Sequence, residues 1–222
     1  MTDVEIIPTL VPESLHEIVE LREKFRSFMT ALHVDAADGK FAPNVTWMPA
    51  AGDILPDREQ IHYKAHLMVA DPLPAGLAFI EAGARTLEGH VEAFQSVENG
   101  LSILQTWKDE GAEQVAVALL LQTPFEDADP YFSVCDYVRL MTIPRIGTQG
   151  IPFDESSIAR VADFHERYPD MPIAVDGGVS EKNIVALRKA GVSSFTAGSA
   201  IAKAEDPKAM YEHLLSLANA VR

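Results

Sequence analysis

The sequence has a single cysteine, Cys135, among 222 residues. That excludes an intrachain disulfide and a cysteine-built zinc site, and it points to a reducing compartment. Basic residues are scarce, with 18 Lys and Arg against 33 Asp and Glu and a formal net charge of −15. No run of Lys or Arg exceeds two residues, so the summed field repels a nucleic-acid duplex or an anionic bilayer. Long hydrophobic runs are also missing: the longest, residues 115–121, is too short to cross a membrane. Residues 1–9 lack the basic flank and apolar core of a signal peptide, and no low-complexity stretch or Pro-, Gly- or Ser-rich linker interrupts the chain. What is left is a cytoplasmic enzyme or binding protein forming one domain over residues 1–222, with the 47% hydrophobic and 23% charged content of an ordinary globular chain. A phosphorylated small molecule stays compatible with the negative charge, because backbone N–H groups in Gly-rich turns hold phosphate without Lys or Arg.

Short apolar segments alternate with longer amphipathic ones from end to end. The pattern predicts eight strands, at 4–8, 28–35, 61–69, 86–91, 114–121, 136–143, 173–176 and 194–198. Ser14 and Glu17 form a capping box ahead of Leu15, Ile18, Val19 and Phe25. Ser180 is expected to cap a helix that carries Ile184 and Leu187 and that Gly191 closes, and Asp206-Pro207 opens a last helix. Pro49, Gly52 and Pro56 make residues 47–60 an irregular loop or broken helix. Eight strands alternating with helices fit a single-domain (β/α)8 barrel, with an open doubly wound sheet as the alternative. A barrel places functional side chains at the C-terminal ends of strands or in the loops after them.

Polar residues cluster at those positions. His33 and Asp35 lie two apart on strand two and therefore share a face. His66 lies late in strand three, and Asp176 ends strand seven ahead of Gly177-Gly178. Any one of them suits a strand-end residue accepting loop hydrogen bonds, but four on one rim point to chemistry. Two imidazoles and two carboxylates suit Zn, Fe, Mn or Co with positions left open for substrate oxygens. Gly-rich turns follow the last three strands: Gly147-Thr148-Gln149-Gly150, Gly177-Gly178 and Gly198-Ser199. Loops after strands seven and eight of a barrel often bind phosphate through backbone amides.

Together these segments resemble the ribulose-phosphate 3-epimerase family over nearly the whole chain. The family's His-x-Asp-x-Met-Asp-Gly-x-Phe-x-Pro-Asn block reads here as His33-Val34-Asp35-Ala36-Ala37-Asp38-Gly39-Lys40-Phe41-Ala42-Pro43-Asn44, and its His-Leu-Met-Val block is intact at His66 to Val69. Met141-Thr142-Ile143, Val175-Asp176-Gly177-Gly178-Val179 and Ala197-Gly198-Ser199-Ala200-Ile201 match its strands six, seven and eight. The resemblance implies that His33, Asp35, His66 and Asp176 ligate a divalent metal. It also implies that Asp35 and Asp176 exchange protons with a sugar-phosphate substrate, inverting C3 of a ketopentose 5-phosphate through an enediolate. Met68 and Met141 line the mouth by the same resemblance, and Thr9 stands where the family has Ser on strand one.

This chain departs from the family around the substrate. Ala37 replaces a Met, and after strand six the family's Asn-Pro-Gly-Phe-Gly-Gly-Gln becomes Pro144-Arg145-Ile146-Gly147-Thr148-Gln149. Arg145 either contacts the phosphate or faces solvent. A ketohexose 6-phosphate is the nearest alternative substrate, a noncatalytic sugar-phosphate-binding relative is a second reading, and a metal-assisted aldolase or decarboxylase on the same fold is a third. His90 with Glu92 reads as structural, and His16, His62, His165 and His213 as surface or packing residues. Outward-facing apolar helices are compatible with a homo-oligomer.

Overall fold

A computed structural model describes residues 4–148 and 150–221; Gln149 of the turn after strand six lies outside them. The chain begins with β1 (Glu5–Leu10), α1 (Leu15–Phe25), β2 (Ala31–Ala37), β3 (His62–Met68), α2 (Pro72–Ala82), β4 (Thr86–His90) and α3 (Val97–Asp109). It continues with β5 (Gln114–Leu119), β6 (Tyr137–Met141), α4 (Ser156–Arg167), β7 (Ile173–Asp176), α5 (Ile184–Lys189), β8 (Ser194–Ala197), α6 (Ser199–Ala202) and α7 (Pro207–Asn219). Each strand pairs in parallel with the next and β8 pairs with β1, so the sheet closes into an eight-stranded barrel. This is the (β/α)8 architecture, and the open sheet is excluded.

Local chemistry explains most of the boundaries. At α1 the Ser14 hydroxyl accepts from Glu17 N at 3.3 Å, while the Glu17 carboxylate reaches back to Glu13 N at 2.9 Å, one residue earlier than the usual capping box. Asp206 caps α7 with a bond from Ala209 N at 3.0 Å, and Pro207 occupies the first turn. Ser180 departs from expectation. Asn183 directly precedes α5, and Ser180 sits in the turn before it, donating its backbone N–H to Asn183 Oδ1 at 2.9 Å. Asn183 Nδ2 also donates to Gly178 O at 3.0 Å. The amide is thus used to fasten the turn after β7 instead of capping the helix.

Strict alternation of strands and helices fails in two places. Residues 47–60 form an irregular loop, as their prolines and glycine predict, and β2 runs into β3 without a helix. Between β5 and β6 the chain makes two 3-10 turns, Phe125–Asp127 and Asp129–Tyr131. Pro124 and Pro130 cannot donate to a continuous helix there. Strand two also starts at Ala31, three residues later than expected, and runs to Ala37.

The period of two sorts each strand between two environments. Leu32, Val34 and Ala36 of β2, Val115, Val117 and Leu119 of β5, and Val138 and Leu140 of β6 join the main core with Phe79, Leu104 and Trp107 from the helices. Residues of the opposite parity point into the barrel. Among the described residues no helix is long and apolar enough to cross a membrane.

Candidate active site

The strand register brings the four sequence-predicted polar residues together. Thr9 pairs with His33, Asp35 with His66, and Met141 with Asp176 in adjacent strands. Asp35 Oδ1 lies 3.0 Å from His66 Nδ1 and 3.3 Å from His33 Nδ1, and Asp176 Oδ2 lies 3.4 Å from the same His66 nitrogen. One ligand atom from each of His33, Asp35, His66 and Asp176 falls within 4.8 Å of the others. Thr9 Oγ1 is 3.0 Å from His33 Nδ1 and donates to Asp35 Oδ2 at 3.2 Å. Asp176 is anchored through its backbone, whose carbonyl accepts from Thr142 N at 2.8 Å and Thr142 Oγ1 at 2.9 Å. Both histidine side chains are fully buried, whereas both aspartates keep an edge on solvent.

Each of these imidazoles has its second nitrogen engaged away from the cluster. His33 Nε2 is 3.0 Å from Glu88 Oε2, and His66 Nε2 is 2.9 Å from His90 Nε2. His90 Nδ1 is in turn 3.2 Å from Glu92, whose carboxylate accepts from Leu120 N at 2.8 Å. Glu88 is gripped by Arg139 and by the Tyr137 hydroxyl. None of Glu88, Tyr137 and Arg139 stands out along the chain. The signal was parity: Glu88 and His90 share a face of β4, and Tyr137, Arg139 and Met141 share a face of β6. Recognising that face as the barrel interior needs the register.

The electrostatics follow from this packing. Burial favours the neutral acid at Asp35, yet hydrogen bonds and charge from His33 and His66 hold it well below the usual carboxylate range. Burial and the Arg139 guanidinium disfavour a proton on His33, but Glu88 and Asp35 outweigh them and raise it. At His66 burial is overcome by Asp176 and Asp35, raising it to about 9. His90 is lowered, chiefly by burial. Two proton-seeking imidazole nitrogens facing two carboxylate oxygens make a donor set that suits a divalent cation of borderline hardness.

Above the cluster opens a cavity at the mouth of the barrel. It is lined by Thr9, Asp35, Met68, Met141, Gly147, Asp176, Gly177, Gly178, Gly198 and Ser199, with Ile143, Ile146 and Ile151 contributing apolar wall. Ala37, Ala42, Met68, Met141, Ile143 and Ile146 pack as a separate apolar cluster at this mouth, so Ile146 of the altered loop joins the same cluster as Ala37. Arg145 is exposed and is not among the lining residues; the loop turns Ile146 inward instead. Among the described residues no Lys or Arg lines the cavity. Asp38 is structural: its carboxylate accepts from Lys40 N at 2.9 Å, Phe41 N at 3.0 Å and Ala70 N at 2.9 Å, tying the loop after β2 to that after β3.

The glycines after β7 are required by space as well as by conformation. Gly178 has φ +66°, and a Cβ there would stand 2.8 Å from Phe153 N. Gly178→Ala is therefore expected to destabilise the fold by about 1–3 kcal/mol, lowering the melting temperature by about 2–4 °C per kcal/mol. A thermal melt unchanged from wild type would contradict this.

A closed barrel with buried imidazoles and carboxylates gathered at the C-terminal mouth of its strands defines a (β/α)8-barrel enzyme. Comparison with known proteins supplies the narrower identity. A family model described as the ribulose-phosphate 3 epimerase family matches residues 5–202, and the chain belongs to that family of isomerases. It is 31% identical over 205 residues to the ribulose-phosphate 3-epimerase of Aquifex aeolicus, covering 89% of each chain. It is 29% identical over 196 residues to that of Eremothecium gossypii, covering 82% of this chain and 79% of the other. Solved structures share the fold at lower identity. A structure of KGPDC from Streptococcus mutans superposes with a TM-score of 0.74 at 14% identity, covering 98% of both chains. The 3-hexulose-6-phosphate synthase of Salmonella typhimurium gives 0.71 at 15%, covering 98% of this chain and all of the other.

Proposed function

We propose that this chain inverts C3 of a ketopentose 5-phosphate, interconverting D-ribulose 5-phosphate and D-xylulose 5-phosphate, with Asp35 and Asp176 as the proton-transferring pair. The observation that carries the reading is that two carboxylates from non-adjacent strands, β2 and β7, converge on one nitrogen of His66 and line one cavity. Inversion at carbon needs a base on one face of the substrate and an acid on the other. The ionised carboxylate takes the C3 proton while the other, carrying a proton, returns one from behind, and the roles exchange in the reverse direction. Thr9 and the two histidines orient Asp35, and the Thr142 bonds fix the backbone that carries Asp176. His33, Asp35, His66 and Asp176 would hold the divalent cation, which when bound supplies Lewis acidity that favours loss of the proton beside a carbonyl.

Gly147, Gly177, Gly178, Gly198 and Ser199 form the phosphate end of the site in this reading. With no basic side chain among the described residues of the cavity wall, the phosphate is held by backbone N–H groups, to which residues without a Cβ allow close approach. Met68 and Met141 cover the sugar. Incubation with D-ribulose 5-phosphate in D2O, with bound metal measured in the same sample, is expected to give deuterium at C3 by NMR and one divalent metal per chain. Metal without exchange on the pentose, but with exchange on a ketohexose 6-phosphate, would move the substrate to the longer sugar. Metal without exchange on either would overturn the epimerase reading.

A further inference from the structure

A fully buried ion pair occupies the barrel interior beneath the cluster. Glu88 and Arg139 side chains are both 0% exposed. Arg139 grips both carboxylate oxygens, through Nε to Oε2 and through Nη2 to Oε1 at 2.6 Å. Its remaining nitrogen donates to Thr196 Oγ1 at 2.7 Å and Val175 O at 3.3 Å. Tyr137 adds its hydroxyl to Glu88 Oε1. The neighbouring strands make room for these large side chains: Ala116 pairs with Tyr137, while Ala118 and Ala174 flank Arg139. Three buried alanines thus give up barrel-filling volume to polar groups.

Stability does not account for this arrangement, because replacing a buried ion pair with apolar side chains of similar volume is often neutral or stabilising. Its contact with the cluster does. Glu88 Oε2, fixed by the guanidinium, faces His33 Nε2 at 3.0 Å, while His33 Nδ1 faces Asp35 and Thr9. An imidazole that donates from one nitrogen to a carboxylate offers the other as a lone pair. Resting on the metal-ligand reading above, we infer that Glu88, held by Arg139 and Tyr137, is a positioning residue. It accepts the Nε2–H of His33 and so commits Nδ1 to a divalent cation. The pair brings no net charge, so it orients the ligand without adding to the two aspartates. His66 is oriented differently, through His90, so the two imidazoles are set by separate devices.

The direct test is ¹⁵N NMR of the wild-type protein loaded with Zn²⁺. The expected result is a slowly exchanging proton on His33 Nε2 with Nδ1 coordinated; a proton on Nδ1 would overturn the inference. The second test removes the pair together, Glu88→Leu with Arg139→Leu. The folded variant is expected to bind Zn²⁺ about 10–100-fold more weakly in chelator competition and to show an altered visible spectrum with Co²⁺. Wild-type affinity and spectrum in that variant would overturn the inference alone. If the variant does not fold, the NMR result decides. Failure of the wild type to take up stoichiometric Zn²⁺ would instead remove the metal-ligand reading, and the inference with it.

Discussion

Asp176→Asn is expected to abolish epimerisation, lowering the rate of C3 inversion by at least about 10²–10⁴-fold, the usual contribution of a positioned acid–base group. Asparagine keeps the size of the side chain but loses the charge and one acceptor oxygen facing His66, neither takes nor returns a proton, and is the weaker ligand. The residue lies at the end of β7, with its backbone carbonyl pinned by Thr142, so the substitution leaves the anchoring intact. Circular dichroism should match wild type, and NMR in D2O should show deuterium entry at C3 falling away. Normal turnover by this variant would remove Asp176 from the mechanism. Asp35→Asn should impair inversion as severely, with weaker metal retention as well, because Asp35 contacts both His33 and His66.

Metal retention should weaken steeply on acidification. Before a cation binds, His66 is raised to about 9, because Asp176 and Asp35 outweigh burial, and His33 is raised as well. Below about pH 9 a cation must therefore displace a proton from the His66 nitrogen it uses, and the raised His33 adds to this demand. Lower pH fills those nitrogens and higher pH empties them, so apparent affinity rises with pH. The expected slope is about tenfold per pH unit for one displaced proton and up to about a hundredfold for two. Titration of Zn²⁺ into the protein in buffers between about pH 6 and 8, with proton release measured alongside, reads this directly. Equal affinity at both ends would show that the imidazole nitrogens facing Asp35 are not ligands. Because His90 is lowered by burial and by its neighbour His66 as well, it is not expected to add a proton to the count.

The chain announces its strands because barrel strands buried on both faces need apolar side chains on at least the outer one, and Val115, Val117 and Leu119 pack there. Two helix starts were legible because a short polar side chain reaches its own backbone, at Ser14 and Asp206, whereas the equivalent cap at Ser96 was not singled out. At Ser180 the hydroxyl does accept from Lys182 N at 3.4 Å, but this closes a turn ahead of the helix, which starts at Ile184 after Asn183. His33, Asp35, His66 and Asp176 could be picked out because each is a polar residue late in an apolar strand. Their distances could not, since those depend on which residues stand opposite in adjacent strands. The same limit hid Glu88 and Arg139, a charge of each sign 51 positions apart, and left the direction of Arg145 open until the loop was seen to turn Ile146 inward.

By itself the sequence determined an eight-strand βα chain, a single cysteine that excludes an intrachain disulfide and a cysteine-built zinc site, and a set of polar strand-end residues resembling those of the ribulose-phosphate 3-epimerase family. Periodicity, capping and residue type are local properties, and local properties survive in a one-dimensional string. Tertiary structure alone decided that Asp35 and Asp176 meet at one imidazole, that Glu88 sits on the far side of His33, and that no basic side chain among the described residues reaches the glycine-rich wall of the cavity. Those facts arise when β8 closes on β1, because closure fixes the register that turns sequence separations of tens of residues into contacts of about 3 Å.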